Sequence, residues 1–262
     1  MPSEFLTVLG IAGAAAVASL AGGAVALWRQ PTTLFMSAAL GFASGVLLAA
    51  ITYQMLPEAM ELGSLPIAVG GFAAGFAAVY AFDLFVHRGR LAGEKSEQWK
   101  EVERFYHRCR PRGSEVTVLA GGTSAEELIE GLSIGVGTAI QPGLGVLIGL
   151  AIAIDNLSEG LSIGEIIRKE ADGQGRGQAR RILGWTGLIA AAVLGSALAG
   201  WFLLRGLSEP VLGCLLAAGG GGMFYLTITD LVPHAEEWHY QQSAAIATAA
   251  GFLLIFALST WL

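Results

Sequence analysis

The feature that most constrains this chain is a row of apolar runs with almost no charge inside them. About 20 apolar residues cross the hydrocarbon core of a bilayer as a helix. Eight runs reach that length, at about 5–28, 33–57, 66–87, 115–139, 144–167, 182–204, 210–233 and 243–262. Turn-type residues separate several of them, at Arg29-Gln30-Pro31, Glu61-Leu62-Gly63-Ser64, Gln141-Pro142-Gly143 and Ser208-Glu209-Pro210. The pattern predicts an all-α polytopic membrane protein of eight transmembrane helices, one domain over residues 1–262. The first run is long for a signal-peptide core and reads as a retained span.

Charge placement tests the count independently. Charged residues make up 14% of the chain, against roughly 25% in a soluble domain. With 54% hydrophobic residues, that excludes a soluble enzyme, a nucleic-acid binder and a disordered chain. Of the 15 Lys and Arg, all but Arg205 fall in the loops after spans 1, 3 and 5: Arg29, then Arg88 to Arg112, then Arg168 to Arg181. The positive-inside rule makes that face cytoplasmic and puts both termini outside. The loop after span 3 also carries Trp99, Val102, Phe105 and Tyr106, whose spacing fits either an interfacial amphipathic helix or a solvated linker helix. Cys109 and Cys214 stand in unlike surroundings and read as free thiols.

Two repeats stand out. Glu130-Gly-Leu-Ser-Ile-Gly135 in span 4 recurs as Glu159-Gly-Leu-Ser-Ile-Gly164 in span 5. Leu56-Pro57-Glu58-Ala59 in span 2 is echoed more weakly by Val232-Pro233-His234-Ala235 in span 7. An odd separation of matching spans predicts an inverted repeat in a 3+2+3 arrangement, as in many secondary transporters. The pairs Gly41/Gly45 and Gly71/Gly75 fit either internal helix packing or a homodimer.

Spans 4 and 5 hold ionisable groups where lipid disfavours them. Span 4 has Glu126, Glu127 and Glu130; span 5 has Asp155, Asn156 and Glu159. Residues three and four apart share a helix face. If these faces meet, five carboxylates and one amide converge with no Lys or Arg inside any span. One acidic residue at a helix centre costs about 2.5–3.5 kcal/mol on insertion scales. Either these acids are protonated or a cation stands in for the missing partner, and intramembrane acids mark function. Gly-Leu-Ser-Ile-Gly also matches the Gly-x-Ser-x-Gly elbow of serine hydrolases, but that elbow needs a strand-to-helix turn and a base. Here it lies in helical runs, and His87, His107, His234 and His239 sit in loops or at span ends.

These residues resemble the ZIP family of divalent-metal transporters, in a prokaryotic-type form. That family carries His-Asn-x-Pro-Glu-Gly in span 4 and a similar motif in span 5. Here they read Glu126-Glu-Leu-Ile-Glu-Gly131 and Asp155-Asn-Leu-Ser-Glu-Gly160. Gly41-Phe-Ala-Ser-Gly-Val-Leu-Leu-Ala49, and Gly222-Met-Phe-Tyr225 through Asp230-Leu-Val-Pro233, are similar to the span-2 and span-7 motifs. The resemblance implies a primary metal site of Glu126, Glu130, Asp155 and Glu159, with Glu127 and Asn156 in an adjacent second site. It departs at Glu126, which replaces the usual His, at Ile129 and Ser158, which replace the Pro, and at Ala190, where span 6 often has an acid.

The expected function is therefore transport of divalent cations (Zn²⁺, Mn²⁺, Fe²⁺ or Cd²⁺) across a prokaryotic inner membrane, with no organic cofactor, nucleic acid or enzymatic step. An all-oxygen site predicts weaker zinc discrimination, since imidazole and thiolate are what favour zinc. Asp230 is a pore candidate. His234, with Glu236, Glu237 and His239, forms either a receiving cluster or a solvated loop. Asp83 and Glu165 either line the exit or snorkel. A proton- or sodium-linked carrier of another solute, and a metal sensor without flux, are the alternatives.

Overall fold

The computed structural model describes residues 2–86, 115–170, 177–236 and 240–259. The segment with Trp99 to Tyr106, together with Cys109, Glu237 and His239, lies outside the described residues. Among the described residues eight long helices account for the expected spans: α1 (Pro2–Trp28), α2 (Thr33–Leu62), α3 (Leu65–Val86), α4 (Glu115–Ile140), α5 (Pro142–Glu170), α6 (Gln178–Leu204), α7 (Glu209–Glu236) and α8 (Gln241–Ser259). Among the described residues there is no strand. All but α4 are long and apolar enough to cross a membrane by composition. The exception is the helix that carries Glu126, Glu127 and Glu130.

Local chemistry sets the ends. The Thr32 hydroxyl accepts from the Phe35 N–H at 3.2 Å and caps α2. Pro210 stands in the first turn of α7, where its missing N–H costs nothing. Arg205 ends α6 with its guanidinium 4.4 Å from the Trp201 ring centre. At the other face Arg168 reaches back to the carbonyls of Ala26 and Leu27, at 2.6 and 2.9 Å, and closes the last turn of α1.

Helix α2 does not stop at Pro57, as the sequence pattern suggests, but runs on to Leu62. A proline inside a helix removes one N–H and crowds the carbonyl four residues back. The wider π turn at Ile51–Met55, just before Pro57, makes room for it. Helix α7 repeats the device, with a π turn at Thr227–Leu231 just before Pro233.

Close approaches fix the topology. Gly41 and Gly45 of α2 face Ala244 and Thr248 of α8, while Gly71 and Gly75 of α3 face Cys214 and Ala218 of α7. Gly131 and Gly135 of α4 face Val193 and Ala197 of α6, and Gly160 and Gly164 of α5 face Ser19 and Ala26 of α1. Numbers rise together in every pair, so each pair is parallel. A Cβ on Gly41 would sit 2.7 Å from the Ala244 carbonyl oxygen, so only glycine lets these backbones come so near. The four glycines with two readings in the sequence are thus used inside the molecule.

Short links make α1–α2, α2–α3, α4–α5, α6–α7 and α7–α8 antiparallel, and the parallel pairs set the direction of the rest. Odd-numbered helices therefore run one way and even-numbered helices the other. Trp28, Val86, Glu115, Glu170 and Gln178, the helix ends that flank the basic segments of the sequence, lie toward one face, and Arg205 lies toward the opposite one. Helices α1, α4, α5 and α6 pack as one bundle, and α2, α3, α7 and α8 as a second. They meet where α2 lies on α5 and α7 on α4. Exchanging α1 with α6, α2 with α7, α3 with α8 and α4 with α5 maps this pattern onto itself, which is the inverted repeat. One chain offset carries the Gly45–Thr248 contact onto Gly221–Phe72, and Phe42–Gly251 onto Ala218–Gly75.

Candidate metal site

Helices α4 and α5 are joined by Gln141 alone, which makes them an antiparallel hairpin and brings their repeated motifs together. Glu127 and Asn156 are completely buried, Asp155 and Glu130 nearly so, and Glu126 and Glu159 partly. Asn156 lies toward α1, where its Nδ2 donates to the Ala15 carbonyl at 3.3 Å. The Ser196 hydroxyl of α6 donates to the Glu127 carbonyl at 3.0 Å. Ser158, which takes the place of a motif proline, turns its hydroxyl onto the Asp155 carbonyl at 2.8 Å. Such back-bonding bends a helix gently where a proline would kink it. Ser133 and Ser162 also donate into their own helices, to Ile129 and Ser158, so neither stands on a nucleophile elbow.

Six buried oxygens in this hairpin have no hydrogen-bond partner: both of Glu127, Glu130 Oε2, Asp155 Oδ1, Asn156 Oδ1 and Glu159 Oε2. Buried polar groups are nearly always paired, so a set of this size on two adjacent helices needs an explanation. The oxygens are hard donors, suited to a divalent cation. As they stand, no three His, Cys, Asp or Glu side chains among the described residues are grouped to hold a metal ion. Like-charged carboxylates resist closing on one another unless a positive charge comes between them.

The second bundle adds polar groups on the basic face. A small cavity of about 20 Å³ is lined by Thr123 of α4, Glu159 and Ser162 of α5, and Asp230 and His234 of α7. That is room for about one water or an ion of similar size. His234 Nδ1 lies 3.4 Å from Asp230 Oδ1, one turn apart, and both side chains are about two-fifths exposed. Glu126 is within electrostatic reach of Asp155 and Glu127 in its own bundle and of Asp230 and Asp83 in the other. Asp83 accepts the Tyr225 hydroxyl at 2.6 Å.

The structure therefore brings Glu126, Glu127, Glu130, Asp155, Asn156 and Glu159 into one region, with Asp230, His234 and Asp83 beside it. Glu165 is buried farther along α5 and does not line the cavity. Ala190 is buried on α6 and offers no ligand. Ser19 and Gln54 were not singled out from the sequence, yet the Ser19 hydroxyl and both amide atoms of Gln54 are buried and unpaired. The available signal was one polar residue inside an otherwise apolar run.

The family model for the ZIP zinc transporter matches residues 5–259. A zinc transporter ZupT of Corynebacterium efficiens is 30% identical over 256 residues, covering 94% of this chain and 92% of that protein. The ZupT of Corynebacterium glutamicum is 30% identical over 265 residues, covering 97% and 98%. That of Escherichia fergusonii is 27% identical over 215 residues, covering 80% and 79%.

Proposed function

The chain belongs to the ZIP zinc transporter family, and from that membership we propose that it carries divalent cations through the carboxylate site of α4 and α5. It is an integral membrane transporter, with zinc as the cargo its relatives' names supply. The observation that carries the site is the set of six buried, unpartnered oxygens in a hairpin with no Lys or Arg in its buried stretch. Glu126, Glu130, Asp155 and Glu159 replace the cation's waters as the primary site, and Glu127 with Asn156 forms the second. On the basic face Asp230 and His234 are the next groups a leaving cation meets. The basic face is cytoplasmic and both termini lie outside, in a bacterial inner membrane. Release follows movement of the α1–α4–α5–α6 bundle against the other, along faces rich in glycine and alanine.

Oxygen donors without imidazole or thiolate hold zinc with less preference over manganese and iron. Uptake of zinc into proteoliposomes, in competition with Mn²⁺ and Fe²⁺, tests this. Manganese and iron are expected to compete within a small excess, and a strong zinc preference sinks the selectivity claim. Glu130→Ala and Glu159→Ala are expected to insert normally and to abolish uptake. Wild-type uptake in both variants sinks the site.

A further inference from the structure

Gln54 is 5% exposed, and neither its Nε2 nor its Oε1 has a hydrogen-bond partner. An amide buried and wholly unpaired destabilises the state that holds it, so it needs a reason. Its position supplies one. Gln54 is the fourth residue of the π turn in α2, and Asp230 is the fourth residue of the π turn in α7. The offset that carries Pro57 onto Pro233 also carries Gln54 onto Asp230. Helices α2 and α7 run in opposite directions, so the two residues stand in opposite halves of the molecule.

The halves are built from matching residues but differ in state. On the basic face Glu159, Ser162, Ile163, Asp230 and Leu231 line the cavity of about 20 Å³. Their repeat counterparts are Glu130, Ser133, Ile134, Gln54 and Met55. There Gln54 is buried where Asp230 is partly exposed, while the apolar neighbours Met55 and Ile134 are as buried as Leu231 and Ile163. The Ser133 hydroxyl fills the space a Cβ on Gly219 would take, with the Met55 methyl in contact beside it, so this half is the more closed of the two.

We infer that Gln54 is a cation-contacting residue of the more closed half, whose amide oxygen meets the cation beside Glu130 when that half opens, as Asp230 stands beside Glu159 now. The amide is unpaired in this state because its partner arrives only with the cargo. This rests on the α4–α5 site proposed above, and the tests are chosen so that the two can fail separately.

Gln54→Leu removes the amide and keeps an apolar side chain of similar length. It is expected to leave thermal stability undiminished, while zinc uptake by proteoliposomes falls about tenfold. Gln54→Glu, which keeps an oxygen, is expected to restore uptake. Wild-type uptake by Gln54→Leu overturns the proposal. So does joint loss of stability and uptake, which marks a structural residue, and so does failure of Gln54→Glu to rescue. Glu159→Ala is the control for the site: retained zinc binding and uptake there overturn the α4–α5 reading. Opening of the Gln54 half is read apart from that site. Gln54→Cys, with Cys109→Ser and Cys214→Ser, is expected to react with a membrane-impermeant thiol reagent added at the face carrying the termini. No reaction during uptake overturns the inference.

Discussion

Glu127 offers the sharpest perturbation, because the side chain is fully buried and neither carboxyl oxygen has a partner. A buried polar group left unpaired costs about 1–3 kcal/mol. Leucine at 127 removes both oxygens and keeps a side chain of similar reach, and the Glu127 carbonyl that accepts from Ser196 is untouched. Metal-free Glu127→Leu is therefore expected to be more stable than the parent by about 1–3 kcal/mol. At about 2–4 °C per kcal/mol for a chain of this size, Tm rises by several degrees. Zinc narrows or reverses the order. A ligand that binds only the folded state adds about 2.7 kcal/mol at a hundredfold excess over Kd, and the parent receives all of it. The variant lacks one ligand of the proposed second site and is expected to receive less. Glu127→Gln separates shape from chemistry, since it keeps two buried polar atoms and gains little. Thermal unfolding in detergent, first with chelator and then with rising zinc, reads all three proteins. A Glu127→Leu protein less stable than the parent in chelator, or one with the full zinc shift, refutes the reasoning.

Two further outcomes follow from packing and capping. Gly45→Ala drives a methyl into the Thr248 carbonyl and is expected to cost about 1–3 kcal/mol by thermal unfolding. Gly10→Ala, with nothing within 4 Å of its Cβ, is the comparison and should not destabilise. Equal Tm values for the two would show that α2 and α8 do not approach as described. Arg168→Met removes both hydrogen bonds to the end of α1 and is expected to cost up to about 2 kcal/mol, with unfolding of α1 measured by amide exchange. Unchanged protection over Val25 to Trp28 would refute the capping role.

The helices were legible because lipid punishes exposed backbone and stray charge, so spans and basic loops must alternate. The hairpin acids were legible for the same reason: Glu130 and Glu159 stand where an apolar helix should carry none. Gln54 and Ser19 were harder to find. A lone amide or hydroxyl in an apolar run costs little by itself, and only the fold reveals that no partner reaches it. The π turns were hidden too, since Pro57 reads as a helix end until its neighbours show the helix continuing to Leu62. Nor does the pattern say which half is the more open. The two halves have matching residues, and their state depends on how the bundles sit against each other.

The departures from the family pattern make sense once Glu127 and Asn156 are compared. They occupy the same place in the two motifs, one on each strand of the hairpin. Asn156 spends its amide N–H on the Ala15 carbonyl of α1, a bond an ionised carboxylate there could not make. Across the pseudo-twofold, α6 answers with the Ser196 hydroxyl, which supplies its own donor and bonds the backbone carbonyls of Glu127 and Ala192. An acid stands at position 127 where the family motif has Asn, and Ala190 stands on α6 where the family often has an acid. Against the one acid absent from α6, α4 carries two, Glu126 in place of the motif His and Glu127 in place of the motif Asn. On the site proposed above, the negative charge facing a divalent cation is then increased, and it is gathered on the hairpin that holds the other acids.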